Sequence, residues 1–333
     1  MLRGLLWGII LGMSKVHVGV LRGGPSSEYD VSLKSGAAVL KNLGEKYQSH
    51  DILIDKKGVW HLHGAPRQPY EILKNVDVVV NAMHGEYGED GKVQSLLDSL
   101  GVAYTGSTAM PSAVGMNKLL TKKALVPQGI KMAPHLAISA QDIDEQKIYE
   151  LWRTFPQPSI VKPVGAGSSV GVTLVTNFHD LGEAIKLART YSDTVLIEEF
   201  IKGREATCGV IGNWRGDRIY SLLPIEIVKP KHSDFFDYNS KYSSDTQEIS
   251  PANFGVYGPV IQELSKRAHE ALGLRHYSRS DFIVHPRRGV FFLETNTLPG
   301  MTEASLFPKS LTAIGSNLGE FLDHIITLAI KEK

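Results

Sequence analysis

Cysteine is all but missing from this chain of 333 residues. The one present, Cys208, excludes an intrachain disulfide and leaves no thiol cluster for zinc. Flanked by Ala206, Thr207, Gly209 and Val210, it reads as a small buried hydrophobe on a strand rather than a nucleophile. An excess of charge of either sign is missing too. A formal net charge of +1 gives no electrostatic case for nucleic acid or an anionic membrane as partner. The stretch MLRGLLWGIILGM at the start is shorter than the ~20 apolar residues a membrane-spanning helix needs, and no small-residue cleavage site follows it. Met13 begins an ordinary MSKVHVGVLRGG, so residues 1–12 are expected to reflect an upstream start codon, with a weak membrane anchor as the other reading. No repeat, coiled coil or low-complexity tract appears. What remains is the expectation of a cytoplasmic protein of two or three domains.

The richest stretch runs from Arg279 to Leu306. Two alternating runs, SDFIVH and VFFLE, flank PRRG, a turn with the usual breakers. If His285 faces Val290 across that turn, Asp281 faces Glu294, and Arg279, Asp281, Glu294 and Asn296 share one face of the hairpin. Opposed like charges repel, so a cation is expected between them. Carboxylate and amide oxygens suit a hard divalent ion such as magnesium, which is commonly held together with substrate phosphates. Arg279 is placed to meet a phosphoryl group or an oxyanion. The plainer reading, solvated sheet acids neutralised by Arg287, Arg288 or Arg279, stays open on the hairpin alone.

Upstream, an apolar strand from Lys15 to Leu21 runs into RGGPSSEYDVS and a helix. Gly23 and Gly24 let the backbone approach a ligand closely, and Glu28 is poised to meet an ammonium or, equally, to match the helix dipole. GGPSSE lacks the third spaced glycine of a dinucleotide fingerprint. Strands at His50 to Ile54 and over VDVVVNAM (76 to 83), separated by helical segments, suggest a parallel α/β layer. The acid-rich HGEYGEDG loop then lies where such sheets bind ligands. His84 alone reads more readily as a hydrogen-bonded structural histidine, and Lys118, inside a helix, as solvated.

From Ser159 the pattern becomes antiparallel. Lys162 enters a glycine-rich loop, GAGSSVG, of the kind that wraps phosphates, and would be costly to bury without an anion. Glu198 and Glu199 interrupt an apolar strand, with Glu205 following. They are either nucleotide-binding acids or edge charges that discourage aggregation. SDFFDYNSKYSSDTQEISP is long for a loop in a compact domain and suits a lid. The final helix repeats apolar residues at helical spacing and reads as core.

GGPSSEYDVS, HGEYGEDG, VKPVGAGSSVGV, EEFIKGRE, FFDYNSKY, SRSDF and ETNTLPGMTEASL occur in the order and spacing of D-alanine–D-alanine ligases, which the chain closely resembles from about residue 15 to the end. The resemblance implies a multidomain α/β and α+β architecture: an ATP-grasp fold behind an N-terminal parallel α/β domain. The expected division is a leader over 1–13, a substrate domain over 14–107, a central ATP-grasp domain over 108–206 and a C-terminal one over 207–333 that carries the lid and metal site. It also implies ATP as substrate, two magnesium or manganese ions per site, D-alanine as the small-molecule partner and a homodimer.

By the same resemblance, Glu28 holds the first D-alanine's ammonium with His84 nearby. Lys118 and Lys162 meet ATP phosphates, Ser168 and Ser169 close the phosphate loop, and Lys241 reaches the γ-phosphate from the lid. Glu198, the backbone at Glu199 and Ile201, and Glu205 take adenine and ribose. Asp281, Glu294 and Asn296 bind the metal ions. Arg279 and the backbone of Gly300 stabilise the acylphosphate and the tetrahedral oxyanion, and Ser305 and Leu306 receive the second D-alanine's carboxylate. Tyr242, which in the family bonds to the Glu28 and Ser168 equivalents, implies a dipeptide rather than a D-lactate ester. Tyr29 and Asp30 stand where the family commonly has histidine and glutamate, and Val164 to Gly167 is less polar than in many members. D-serine or D-lactate as second substrate and a nucleotide-binding regulator without turnover are the competing readings.

Overall fold

The computed structural model describes residues 15–139, 143–165, 170–228 and 246–333. Ser168, Ser169, Lys241 and Tyr242, with residues 233–245 of the expected lid, lie outside these. The first sheet runs in the order β4-β3-β2-β1-β5-β6. Its centre is β1 (Val16–Gly23), parallel to both β2 (Tyr47–Ile54) and β5 (Val78–Asn81). The unbroken apolar run of β5 is what a strand covered on both faces requires, and all four of its residues are buried. β6 (Ala103–Tyr104) extends the parallel side, while β3 (Trp60–Leu62) and β4 (Ala65–Pro66) add an antiparallel edge. At the end of β1 the chain turns sharply into α1 (Tyr29–Asn42). Gly23 adopts φ +89°, and a Cβ there would sit 2.1 Å from the Ile54 carbonyl oxygen, so only glycine fits.

One face of this sheet is covered from within its own segment, by α2 (Pro69–Leu73) and α3 (Lys92–Ser99), with Ile72, Leu73, Val93 and Leu97 packed on Leu21, Ile52 and Val79. The other face is closed by α1, through Val39, and by the last helix of the chain, α10 (Leu318–Lys331). Phe321, Leu322, Ile325 and Ile326 join Val18, Val20, Val78 and Val80 in one core.

After β6 come α4 (Ala109–Met116) and α5 (Lys118–Leu125). Asn117 caps α5, its side-chain oxygen accepting from the backbone N–H groups of Leu119 and Leu120. The second sheet, β7-β10-β8-β9, is antiparallel: β7 (His135–Ser139), β8 (Ser159–Pro163), β9 (Thr173–Val175) and β10 (Thr194–Glu199). Two amphipathic helices, α6 (Glu145–Thr154) and α7 (Phe178–Arg189), cover it through Leu151, Leu181, Ala184 and Ile185. β10 is a central strand, so the edge-charge reading of Glu198 and Glu199 is wrong.

The third sheet has the order β14-β13-β11-β15-β16 with β12 beside β11. Its strands are β11 (Arg204–Trp214), β12 (Asp217–Ser221), β13 (Ile225–Val228), β14 (Gln247–Ile249), β15 (Tyr277–His285) and β16 (Gly289–Asn296). α8 (Tyr257–Ala271) packs on it through Ile261, Leu264 and Ala268. Cys208 is fully buried in this core, and burial pushes its thiol up to about 12.

The register of the β15–β16 hairpin differs from the sequence reading near the turn. His285 pairs with Gly289 and Val284 with Val290, one step tighter than expected, yet Asp281 still faces Glu294 and Arg279 faces Asn296. A bulge between Asp281 and Phe282 absorbs the difference, leaving Leu293 as the extra residue on β16. The acids meet because of that irregularity, not because the register is uniform.

Candidate active site

A cavity of about 750 Å³ opens where the first and third sheets approach each other. Glu28, His84, Lys118, Arg279, Glu294, Asn296, Gly300, Ser305 and Leu306 all line it. They come from four separate regions of the chain, so the fold assembles nine of the fifteen described residues singled out in sequence around one space, Asp281 standing just outside the lining.

Glu28 stands at the N-cap position of α1 without using its side chain to cap the helix. A Cβ on Gly85 would lie 2.8 Å from its Oε2, so the glycine of the HGE turn leaves room for this carboxylate. His84 is buried and held at both ring nitrogens. Nδ1 lies 3.0 Å from the Leu298 carbonyl, which can only accept, so Nδ1 carries the proton and Nε2 accepts from the Ser35 hydroxyl at 2.8 Å. Burial lowers the imidazole's proton affinity, partly opposed by Glu28. The structural reading of His84 fits this geometry: it ties the end of β5 to the loop after β16.

Glu89, which sequence reasoning passed over within HGEYGEDG, makes the same kind of tie. Its Oε2 accepts from the Gly85 N–H at 2.8 Å and its Oε1 from the Leu298 N–H at 3.0 Å. Burial, reinforced by the nearby Glu28 charge, pushes this carboxyl up to about 8.

Asp281 is 7% exposed and heavily bonded. The Thr207 hydroxyl on β11 donates to Oδ1 at 2.6 Å, Asn296 Nδ2 donates to Oδ2 at 3.0 Å, and Arg279 donates from Nε and Nη2 at 3.1 and 3.0 Å. Part of the plainer reading therefore holds: Arg279 neutralises Asp281, whereas Arg288 pairs with Glu199. Burial disfavours the Arg279 charge, but Asp281, Glu294 and Glu89 more than offset this. Among the described residues no cluster of three or more histidine, cysteine or acidic side chains stands ready for a metal ion. The two acids and one amide of the hairpin are nevertheless all hard oxygen donors of the kind magnesium accepts, phosphate oxygens completing the shell.

At the other end of the cavity, the N-terminus of α9 (Leu306–Ala313) opens toward it. Ser305 caps the helix without a side-chain bond to it, its hydroxyl lying 2.7 Å from that of Thr302. A Cβ on Gly300 would lie 2.8 Å from Ser305 Oγ, so the glycine permits the loop to close there. First-turn N–H groups and the helix dipole favour an anion at this end.

Lys162, Glu198, Glu199, Ile201 and Glu205 lie outside this cavity, on β8, on β10 and the turn after it, and on β11. The anion that Lys162 needs is Glu198, 2.8 Å away. The other oxygen of Glu198 is 2.9 Å from Lys122, which sequence reasoning missed. A KLLTKK run reads as a solvated face, and the available signal was its position four residues after Lys118, on the side of α5 where Thr121 and Leu125 are buried. Ile201 is buried, and the Glu199 side chain turns outward to Arg288.

An N-terminal parallel sheet followed by two antiparallel sheets, with lysines and acids gathered among them, defines an ATP-dependent carbon–nitrogen ligase of the ATP-grasp class. Solved structures share the architecture. The D-alanine-D-alanine ligase of Coxiella burnetii superposes with a TM-score of 0.82 at 29% identity, over 96% of this chain and 94% of that one. The VanG D-Ala:D-Ser ligase of Enterococcus faecalis gives 0.84 at 30%, over 95% and 100%. The family model for the D-ala D-ala ligase C-terminus matches residues 124–327, and that for the N-terminus matches 17–71 and 64–107. The D-alanine--D-alanine ligase of Syntrophobacter fumaroxidans is 37% identical over 97% of this chain and 100% of its own length. That of Novosphingobium aromaticivorans is 39% identical over 97% and 99%. The chain belongs to the D-alanine–D-alanine ligase family. Its activity is the ATP-dependent joining of two D-alanines into D-alanyl-D-alanine, a step of peptidoglycan synthesis.

Proposed function

We propose that the cavity between the first and third sheets is where both D-alanines react, and that the two antiparallel sheets hold ATP. The observation that carries this is the convergence on one cavity of an acid (Glu28), a guanidinium (Arg279) and an open helix N-terminus (Ser305 and Leu306). An amino-acid carboxylate and ammonium need those groups. Glu28 takes the ammonium of the first D-alanine, in a subsite that His84 shapes. The carboxylate of that substrate attacks the γ-phosphorus of ATP, its oxygen forming the new P–O bond while the bond to ADP breaks. Such a transfer depends mainly on positioning and charge neutralisation. Lys118, Lys162, Ser168, Ser169 and Lys241 serve the phosphates, while Glu198, the backbone at Glu199 and Ile201, and Glu205 serve the adenosine.

The second D-alanine offers its carboxylate to Ser305 and the start of α9. Its amine attacks the acyl carbon, Arg279 and the Gly300 N–H carry the charge of the tetrahedral oxyanion, and inorganic phosphate leaves as the peptide bond forms. Asp281, Glu294 and Asn296 would hold two magnesium or manganese ions. When bound, such ions neutralise the phosphate oxygens as Lewis acids. We further assign the protein to the cytoplasm, as a homodimer, with domain boundaries near residues 107 and 206. No described helix is long and apolar enough to cross a membrane.

Tyr242 favours an amine over a hydroxyl as second nucleophile. A coupled assay of ADP release tests the reading, with D-alanine alone and with D-serine or D-lactate as competing acceptor. D-alanine alone should sustain turnover and yield the dipeptide. ADP release that requires D-serine or D-lactate would shift the second substrate, and nucleotide binding without ADP release under any acceptor would make the chain a regulator.

A further inference from the structure

Lys122 has no part in the site as described so far, yet it is among the most deeply buried cations of the protein. It is 2% exposed, Lys162 is 8% and Glu198 is 4%. Glu198 lies between the two lysines, Oε1 at 2.9 Å from Lys122 Nζ and Oε2 at 2.8 Å from Lys162 Nζ. Among the described residues Glu198 is the one ion-pair partner of Lys122. The cap at Asn117 sets the phase of α5 that turns Thr121, Lys122 and Leu125 inward.

Two cations on one carboxylate are more than that carboxylate needs. Stripping the single partner from a buried ion leaves an uncompensated charge, a penalty of roughly 10² to 10³ in an equilibrium constant. A lone Lys162 could not turn to a phosphate without incurring it. With Lys122 also present, Glu198 keeps a cation whichever way Lys162 points. We infer that Lys122 is a positioning residue for the nucleotide: it holds Glu198 so that Lys162 is released to the phosphates of ATP. The electrostatics agree. Burial opposes ionisation of Glu198, but Lys162 and Lys122 together outweigh it and hold the carboxyl down at about 2. Burial is also the main influence on Lys122, lowering its proton affinity, with Glu198 opposing.

The inference rests on the proposed contact between Lys162 and ATP phosphate, and the test separates the two. Binding of a non-hydrolysable ATP analogue with magnesium is measured by titration calorimetry on the full chain, alongside kcat and KM. Lys122→Met should weaken the analogue about a hundredfold and raise the KM for ATP similarly, with kcat at saturating ATP and the KM for D-alanine within about threefold of the parent. Adding Glu198→Gln removes the charge that needed holding while keeping an amide oxygen, so the double variant should recover to within about tenfold of the parent. A merely structural role for Lys122 would not be rescued this way. Parent-like affinity in Lys122→Met, or a double variant no tighter than the single, overturns the inference. Should Lys122→Met not fold, the double variant is compared with Glu198→Gln alone: equal affinities support the inference and a tenfold weaker double overturns it. Lys162→Met with unaltered affinity would overturn the phosphate contact itself, and this inference with it.

Discussion

Replacing Arg279 by alanine perturbs two processes that the structure joins in one side chain. Among the described residues the guanidinium is the only cation bonded to Asp281, through two hydrogen bonds of 3.0 and 3.1 Å, while Thr207 and Asn296 supply neutral donors. Asp281 is 7% exposed, so its charge cannot be repaid by water. Breaking a buried pair by removing one partner costs about 3 kcal/mol, at the lower end of the usual range because the neutral donors stay. The same substitution removes the charge set against the acylphosphate and the oxyanion, a loss on the order of 10² to 10³ in kcat for one electrostatic contact. Urea unfolding without divalent ions should show the stability loss. If Asp281 holds magnesium, adding the ion should restore more stability to Arg279→Ala than to the parent, because the metal replaces the missing guanidinium. ADP release should fall a hundredfold or more while ATP KM stays within a few-fold. Turnover within threefold of the parent would remove Arg279 from the chemistry. An equal magnesium response in both proteins would remove the metal from Asp281.

Glu89→Gln should alter the pH dependence of stability. A carboxyl raised to about 8 in the folded protein binds a proton that the unfolded chain has released above ~4.5. The parent should therefore lose stability relative to the variant as pH rises from 5 to 9, by on the order of 2 kcal/mol because Glu89 is only half-buried where it lines the cavity. A pH-independent difference between the urea midpoints would refute it. Tyr242→Phe should let D-lactate compete with D-alanine, seen as a changed ester-to-dipeptide ratio across neutral pH; an unmoved ratio refutes that role. Cys208, buried with its thiol pushed up to about 12, should resist iodoacetamide in the native protein and react once unfolded, and rapid native labelling would contradict its placement.

Local signals carried much of the fold. The apolar run of β5, the alternation in β15 and β16 and the spacing in α10 each mark an element that the structure contains, because burial and backbone periodicity act within a few residues. Non-local placement was harder to read. The turn register of the β15–β16 hairpin came out one step off, since a bulge leaves no composition signature, and Asp281 faces Glu294 only because the bulge compensates. Glu198 and Glu199 look alike as neighbours in an apolar strand, but their sheet position sends one inward to two lysines and the other outward to Arg288. Lys122 was indistinguishable from a solvated helix lysine until the phase of its helix was known. Glu89 was one acid among several in a loop, and what sets it apart is a backbone N–H from Leu298, more than two hundred residues away.

The last helix lies against the first sheet, so the apolar flank formed by Val18, Val20, Val78 and Val80 has only α1, through Val39, as cover until Phe321, Leu322, Ile325 and Ile326 exist. On the ribosome that delay spans about 240 residues, or roughly 12 to 48 s at ordinary elongation rates of ~5–20 residues per second. For that interval the nascent chain carries a sticky, half-finished layer. Cells starved of chaperone capacity should lose this protein to aggregation during synthesis sooner than an enzyme whose first layer is sealed by its own neighbours, and clipping the tail should harm the opening segment before it harms the site.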